Sequence, residues 1–296
     1  MGFAYHANAV AFGAVIEKPS CDIIPSQASA VLCPSGGEAS AIVRNFDYKG
    51  IISFEEAKSY VAGSFERDEN GKDGAYNTLA TTTIRNLNIA NMLHVEFLVA
   101  RVSSKHILKN GLIDPEGQIT FDGSLMEGLR IAGIKGDVTL DPTVFSDFPT
   151  FDSFTKDFPS DVRFKEKAEL FWSDEESRRA MAPSQARSTG TTELGLRPHQ
   201  PSEPCVPQVN AGIVNCSLLG SLTHRIDPKD ERSRKQQVYR DGYGIVVREF
   251  GRVNLAEVSL KPGQRRLTMV RLDLGCPLCG TGSGGNVEGN GSPITP

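Results

Sequence analysis

At 296 residues, with 39% hydrophobic and 23% charged side chains, the chain has a globular composition and enough length to bury a real core. A formal net charge of −4 argues against a dedicated nucleic-acid surface, which would carry a basic stripe. The one basic run, Arg232-Ser233-Arg234-Lys235, follows Asp230 and Glu231 and reads as a solvated loop. No apolar stretch reaches the roughly 20 residues that span a bilayer.

The first half reads as strands. Phe3 to Ile16 carries no formal charge, and Ala7, Ala9, Ala11 and Gly13 fall on one face at period two. Such a strand suits cover on both sides, with small residues letting a second layer approach closely. Ala7 to Ile16 lacks a basic flank and a small-residue cleavage site, so it is not read as a signal peptide and the expectation is a cytoplasmic protein. Three β-rich runs follow, Ala39 to Tyr48, Gly50 to Phe54 and Ser59 to Phe65, and then Asn70-Gly71, a strong hairpin signal. Thr78 to Ile89 is threonine-rich and β-compatible. In Met92 to Ser103 the alternation sets Leu93, Val95, Phe97 and Val99 on one face and His94, Glu96, Leu98 and Ala100 on the other. Shorter strands follow at Gln118 to Phe121, Leu129 to Ile134 and Val138 to Leu140.

The period changes after Pro142. Phe145, Phe148, Phe151 and Phe154 recur every three residues, which predicts a short helical face kinked or divided at Pro149. A second helix is expected over Asp161 to Met181, with Asp161 as its N-cap. Residues 182–211 lose periodicity and hold five prolines among Ser, Thr and Gly, a mobile linker or loop. Strands resume at Gly212. The clearest element is a hairpin, Arg252 to Leu260 and Arg265 to Leu274, turned by Pro262-Gly263 in type II order. From 276 onward the chain is glycine-rich and reads as a frayed tail. The fold class is therefore mainly β, a β-sandwich or flattened barrel with a helical insertion near 142–181. Residues 1–181 form its main part, and 212–275 complete the same domain.

Two sets of strings resemble a known group. One comprises Ala9 to Ile16, Ile24 to Ser29, Ile51 to Phe54, Tyr76 to Leu79 and Val99 to Val102. The other comprises Leu129 to Gly133, Phe250 to Val253, Arg265 to Met269 and Arg271 to Pro277. Together they resemble bacterial hypothetical proteins of β-rich character, distantly similar to the exported choice-of-anchor proteins. The resemblance implies a β-rich fold and no particular activity. It spans most of the chain apart from the linker and the tail.

No catalytic constellation emerges. His94-Val95-Glu96 with Cys276-Pro277-Leu278-Cys279 imitates the zinc-deaminase pieces, but the two lie far apart, the first sits on a strand pattern, Gly275 precedes Cys276, and both pieces should open helices around a parallel sheet. The plain alternative for His94 and Glu96 is a surface ion pair. Cys276 and Cys279 alone make half a zinc site, and the plain reading is a pair of thiols. No phosphate loop or dinucleotide fingerprint is present. The phenylalanine run reads first as core. Phe171 and Trp172 are the candidates for a protein contact, and the partner class is protein, including self-association. The leading functional expectation is a non-enzymatic structural or assembly protein. The alternative is a carbohydrate- or small-ligand-binding β-sandwich, and a carboxylate hydrolase stands third.

Overall fold

A computed structural model describes residues 2–69, 73–163, 214–222, 238–241, 244–248, 250–275 and 278–294. It is a β-sandwich of antiparallel sheets rather than a closed barrel.

The first sheet, A, centres on β1 (Gly2–Lys18), hydrogen-bonded to β2 (Asp22–Val31) on one side. On the other side lies the chain's glycine-rich end, so the expectation of a frayed tail is corrected. The second sheet, B, is a meander of β3 (Gly37–Tyr48), β4 (Ile52–Arg67), β5 (Gly74–Ile89) and β6 (Leu93–Lys109). Four short strands, β7 (Leu112–Ile113), β8 (Gln118–Thr120), β9 (Leu125–Glu127) and β10 (Leu129–Ile131), line up along the outer edge of β6. β11 (Ile134–Gly136) extends β10. β12 (Val138–Leu140) pairs separately with β14 (Leu219–Leu222). Sheet A is completed by β13 (Val214–Ser217), β15 (Val238–Asp241), β16 (Gly244–Val247), β17 (Gly251–Lys261), β18 (Gln264–Leu274) and β19 (Cys279–Ile294), in the order β15-β16-β17-β18-β19-β1-β2 with β13 on β17.

β19 is strand rather than tail because its glycines face sheet B. A Cβ on Gly289 would sit 3.1 Å from Val102 Cγ1, and one on Gly284 3.6 Å from Ile84 Cδ1. Glycine alternating with Thr281, Ser283, Asn286 and Glu288 thus lets two layers meet closely while the polar residues point out. The predicted hairpin is present as β17–β18, with Lys261 opposite Gln264 and Gly263 at φ +69°.

Both sheets share one irregularity. In sheet A the ladder passes from Val10↔Asn286 to Phe12↔Gly284, and from Thr268↔Asn286 to Val270↔Gly284, skipping a rung. Gly285, Ala256 and Ala28 lie on that line with φ of +66°, +51° and +46°. In sheet B Asn45 and Asn86, both at φ +52°, mark the equivalent line. Each strand changes face there. Ala7, Ala9 and Ala11 point inward, then Phe12, Ala14 and Ile16, while Gly13 turns out. In β6 Leu93 and Val95 are inside, followed by Leu98, Ala100 and Val102. The sequence expectation of one unbroken face from Leu93 to Val99 is corrected on this ground.

The phenylalanine run forms α1 (Thr143–Asp147) and α2 (Phe151–Lys156), divided at Pro149 as expected. Phe145 stacks on Phe154 at 5.2 Å and meets Phe121 edge-on at 4.9 Å, and all three are fully buried. A capping box between Thr150 and Ser153 starts α2. These helices close the end of sheet B near β8. No helix among the described residues is long and apolar enough to cross a membrane.

Candidate functional site

The outer face of sheet A is hollowed into a groove of about 930 Å³. Strand register builds it as a series of rungs. Ser259, Arg266, Glu288 and Asn8 stand side by side on β17, β18, β19 and β1. The next rung is Glu257, Thr268, Asn286 and Val10. Beyond the skipped rung come Arg271, Ser283 and Gly13, then Asp273, Thr281, Val15 and Ile23. Every strand contributes alternate residues, so a face of polar side chains follows directly from period two.

The charges on this face are cross-linked. Glu288 accepts from Arg266 Nη2 at 2.8 Å and Nε at 3.1 Å and from Gln264 Nε2 at 2.5 Å, while His6 Nε2 lies 3.0 Å away. The His6 contact above all, with Gln264 and Arg266, holds the Glu288 carboxyl down at about 2, against burial that raises it. The same contact raises the His6 pKa. Arg271 Nη1 lies 3.2 and 3.3 Å from the two oxygens of Glu257. Thr268 Oγ1 donates to Asn286 Oδ1 at 3.0 Å, and Asn286 Nδ2 donates to Ser283 Oγ at 3.0 Å. At the groove floor the Asn8 side-chain oxygen is buried without a hydrogen-bond partner. The arrangement offers fixed donors and acceptors with its cations neutralised, which suits hydrogen bonding rather than acid–base chemistry.

A second hollow of about 480 Å³ lies on the outer face of sheet B. Ser64, Asn77, Arg101, Ser103, Lys105 and Thr120 line it, with no carboxylate among its lining residues. Ser103 and Thr120 hydroxyls meet at 3.1 Å.

Between the sheets, at the end nearest the β17–β18 turn, sits a buried polar cluster. His106 Nε2 lies 2.7 Å from Asn290 Oδ1, and its Nδ1 lies 2.9 Å from the Asp114 carbonyl oxygen. Thr78 and Ser104 hydroxyls are bonded to each other. Arg265 points inward, its two terminal nitrogens buried and without hydrogen-bond partners, and burial lowers its pKa to about 10.

The residues singled out from sequence are dispersed. Phe171, Trp172 and Cys276 lie outside the described residues. Cys279 opens β19 opposite Lys18. Among the described residues no three His, Cys, Asp or Glu side chains gather as a metal ion would require. The expected His94–Glu96 ion pair is corrected: Glu96 faces Arg130 Nη2 at 3.6 Å, while His94 Nδ1 is buried without a hydrogen-bond partner. The groove residues Asn8, Glu257, Arg266, Arg271, Asn286 and Glu288 were not anticipated. Their signal was the polar alternation within β18 and β19.

No curated protein and no solved structure matches the chain. One family model does, over residues 3–261, from the β1 strand to the end of β17. The chain belongs to the family defined by that model, a domain of unknown function, DUF8256.

Proposed function

We propose that this protein is a non-enzymatic binding module whose sheet A groove takes a neutral, hydroxyl-rich ligand of the carbohydrate class. The observation that carries this reading is the neutralised polar groove. Its roughly 930 Å³ falls within the range of small-molecule sites. Arg266 and Arg271 are each held by a carboxylate on the same face, so the groove presents no bare cation for an anionic ligand. What it does present are amides and hydroxyls, with Asn286 already positioned by Thr268 and Ser283. Fixed partners of this kind lower the ordering cost of binding a polyol.

The test is a glycan array probed with the purified full chain, followed by titration calorimetry on any hit. Retention of neutral oligosaccharides is expected, reduced at least about tenfold in Arg266→Ala, which removes a charge-assisted donor and leaves Glu288 with His6 and Gln264 alone. An array without hits, or hits indifferent to Arg266→Ala, refutes the reading. A structural or assembly role through protein contacts is the second reading, and the edge of sheet B favours it.

A further inference from the structure

We propose that β3 is a pairing edge for a second copy of this chain, joining two molecules into a closed dimer through a continuous antiparallel sheet. β3 is hydrogen-bonded to β4 alone among the described residues. From Gly37 to Arg44 it runs in unbroken register with Gly63 to Glu56, and this stretch contains no proline. A flat edge of this length exposes a row of unpaired backbone groups.

The other long edges are treated differently. Sheet B's opposite edge, β6, is covered by four short strands. In sheet A, β2 carries Pro25 and the left-handed Ala28, both of which spoil strand addition. The inward-facing residues of β3 also look incomplete. Ala39, Ala41 and Val43 are only half-buried, whereas Ala57 and Val61 on the adjacent β4 are fully buried. A neighbouring strand would finish that cover.

The occupant is identified by charge. In a two-fold antiparallel pairing centred on Ala41, residue i faces residue 82 − i of the second copy. Glu38 then faces Arg44 of the other molecule, and Arg44 faces its Glu38, on the same exposed face. Each chain already links Arg44 to Glu56 at 2.8 Å, so the pairing extends an alternating row of charge across the junction. Asn45, at φ +52°, ends the flat run just beyond. Both open edges are consumed by the two-fold pairing, so the product is a dimer and not a fibre.

The experiment is sedimentation equilibrium of the full chain in reductant over a hundredfold concentration range, with two single charge reversals. The parent is expected to pass from monomer to dimer. Arg44→Glu alone and Glu38→Arg alone each place like charges opposite one another and should weaken self-association at least about tenfold. An equimolar mixture of the two variants restores opposite charges at both positions and should return to the parent's dimer mass. Recovery in the mixture also shows that both variants are folded. Independently, Ala41→Cys brings two Cβ atoms to about 4.5–5.5 Å across the axis and should cross-link on mild oxidation well above the parent chain's own level. A parent that stays monomeric throughout overturns the proposal. So does a dimer indifferent to the reversals, or a mixture that stays monomeric. An Ala41→Cys chain that cross-links no more than the parent also counts against it.

Discussion

The hollows on the two outer faces of the sandwich carry charge in opposite styles. On sheet A, Arg266 and Arg271 are each neutralised by a neighbouring carboxylate, and the face is hollowed to about twice the volume of its counterpart, 930 against 480 Å³. On sheet B, Arg101 and Lys105 border a smaller hollow lined otherwise by hydroxyls, amides and apolar groups. Both faces arise from the same period-two rule. The difference lies in cross-strand placement within the hollows: β17, β18 and β19 put acid and base on neighbouring strands there, where they hold each other in place. A rigid, neutral face can recognise by hydrogen-bond geometry, whereas a bare cationic one attracts anions with less selection.

The sharpest way to break this contrast is through the line where strands change face. Gly285→Ala puts a Cβ 2.6 Å from Leu98 Cδ2 and 3.0 Å from Met269 Cβ at φ +66°, and should cost about 3 kcal/mol in urea unfolding. The corresponding change in sheet B, Asn86→Ala at φ +52°, replaces a residue that tolerates this backbone and should cost about 1 kcal/mol. Equal losses would mean that the line does not shape sheet A more than sheet B.

An effect between these two is expected from Glu288→Gln, about 2 kcal/mol at neutral pH, because three side chains lose a charged acceptor. Its pH signature follows from the direction of each shift. Glu288 is held at about 2 against an ordinary 4.5, so its contribution is present above 4.5 and fades as pH falls toward 2. His6 is raised above 6.5, so its share is complete below 6.5 and is lost as pH rises through the folded value. The pair is strongest between those limits. In Glu288→Gln, stability measured from pH 5 to pH 2 should decline less steeply than in the parent. The smallest effect belongs to sheet B: Lys105→Ala, on an exposed side chain bordering the hollow, should shift stability by less than about 0.5 kcal/mol. A larger loss there would show that this face is organised after all.

Local chemistry made some of this legible in advance. Pro262-Gly263 announced the β17–β18 turn, and phenylalanine at every third position announced a short helical face that Pro149 would kink or divide, which the structure divides into α1 and α2. What escaped was non-local. A single residue in left-handed conformation reverses the face of everything after it, and no period count shows whether Asn86 or Ala256 adopts it. The glycines of β19 looked like a tail because glycine disfavours strands on its own. Only the close approach of Val102 and Ile84 from the other sheet gives them a reason to be there. The groove was hidden similarly, since Arg266 and Glu288 are 22 residues apart and meet only through register.

The place of β19 also bears on how the chain is made. β1 receives its main hydrogen-bonding neighbour only when Cys279, 261 residues after Lys18, and the residues beyond it have been synthesised. Sheet B's meander, by contrast, joins strands that follow one another directly, so its pairings close over short loops. Throughout elongation on the ribosome, one side of an apolar strand is therefore left without its partner. That nascent edge is a place where a chaperone would have something to hold.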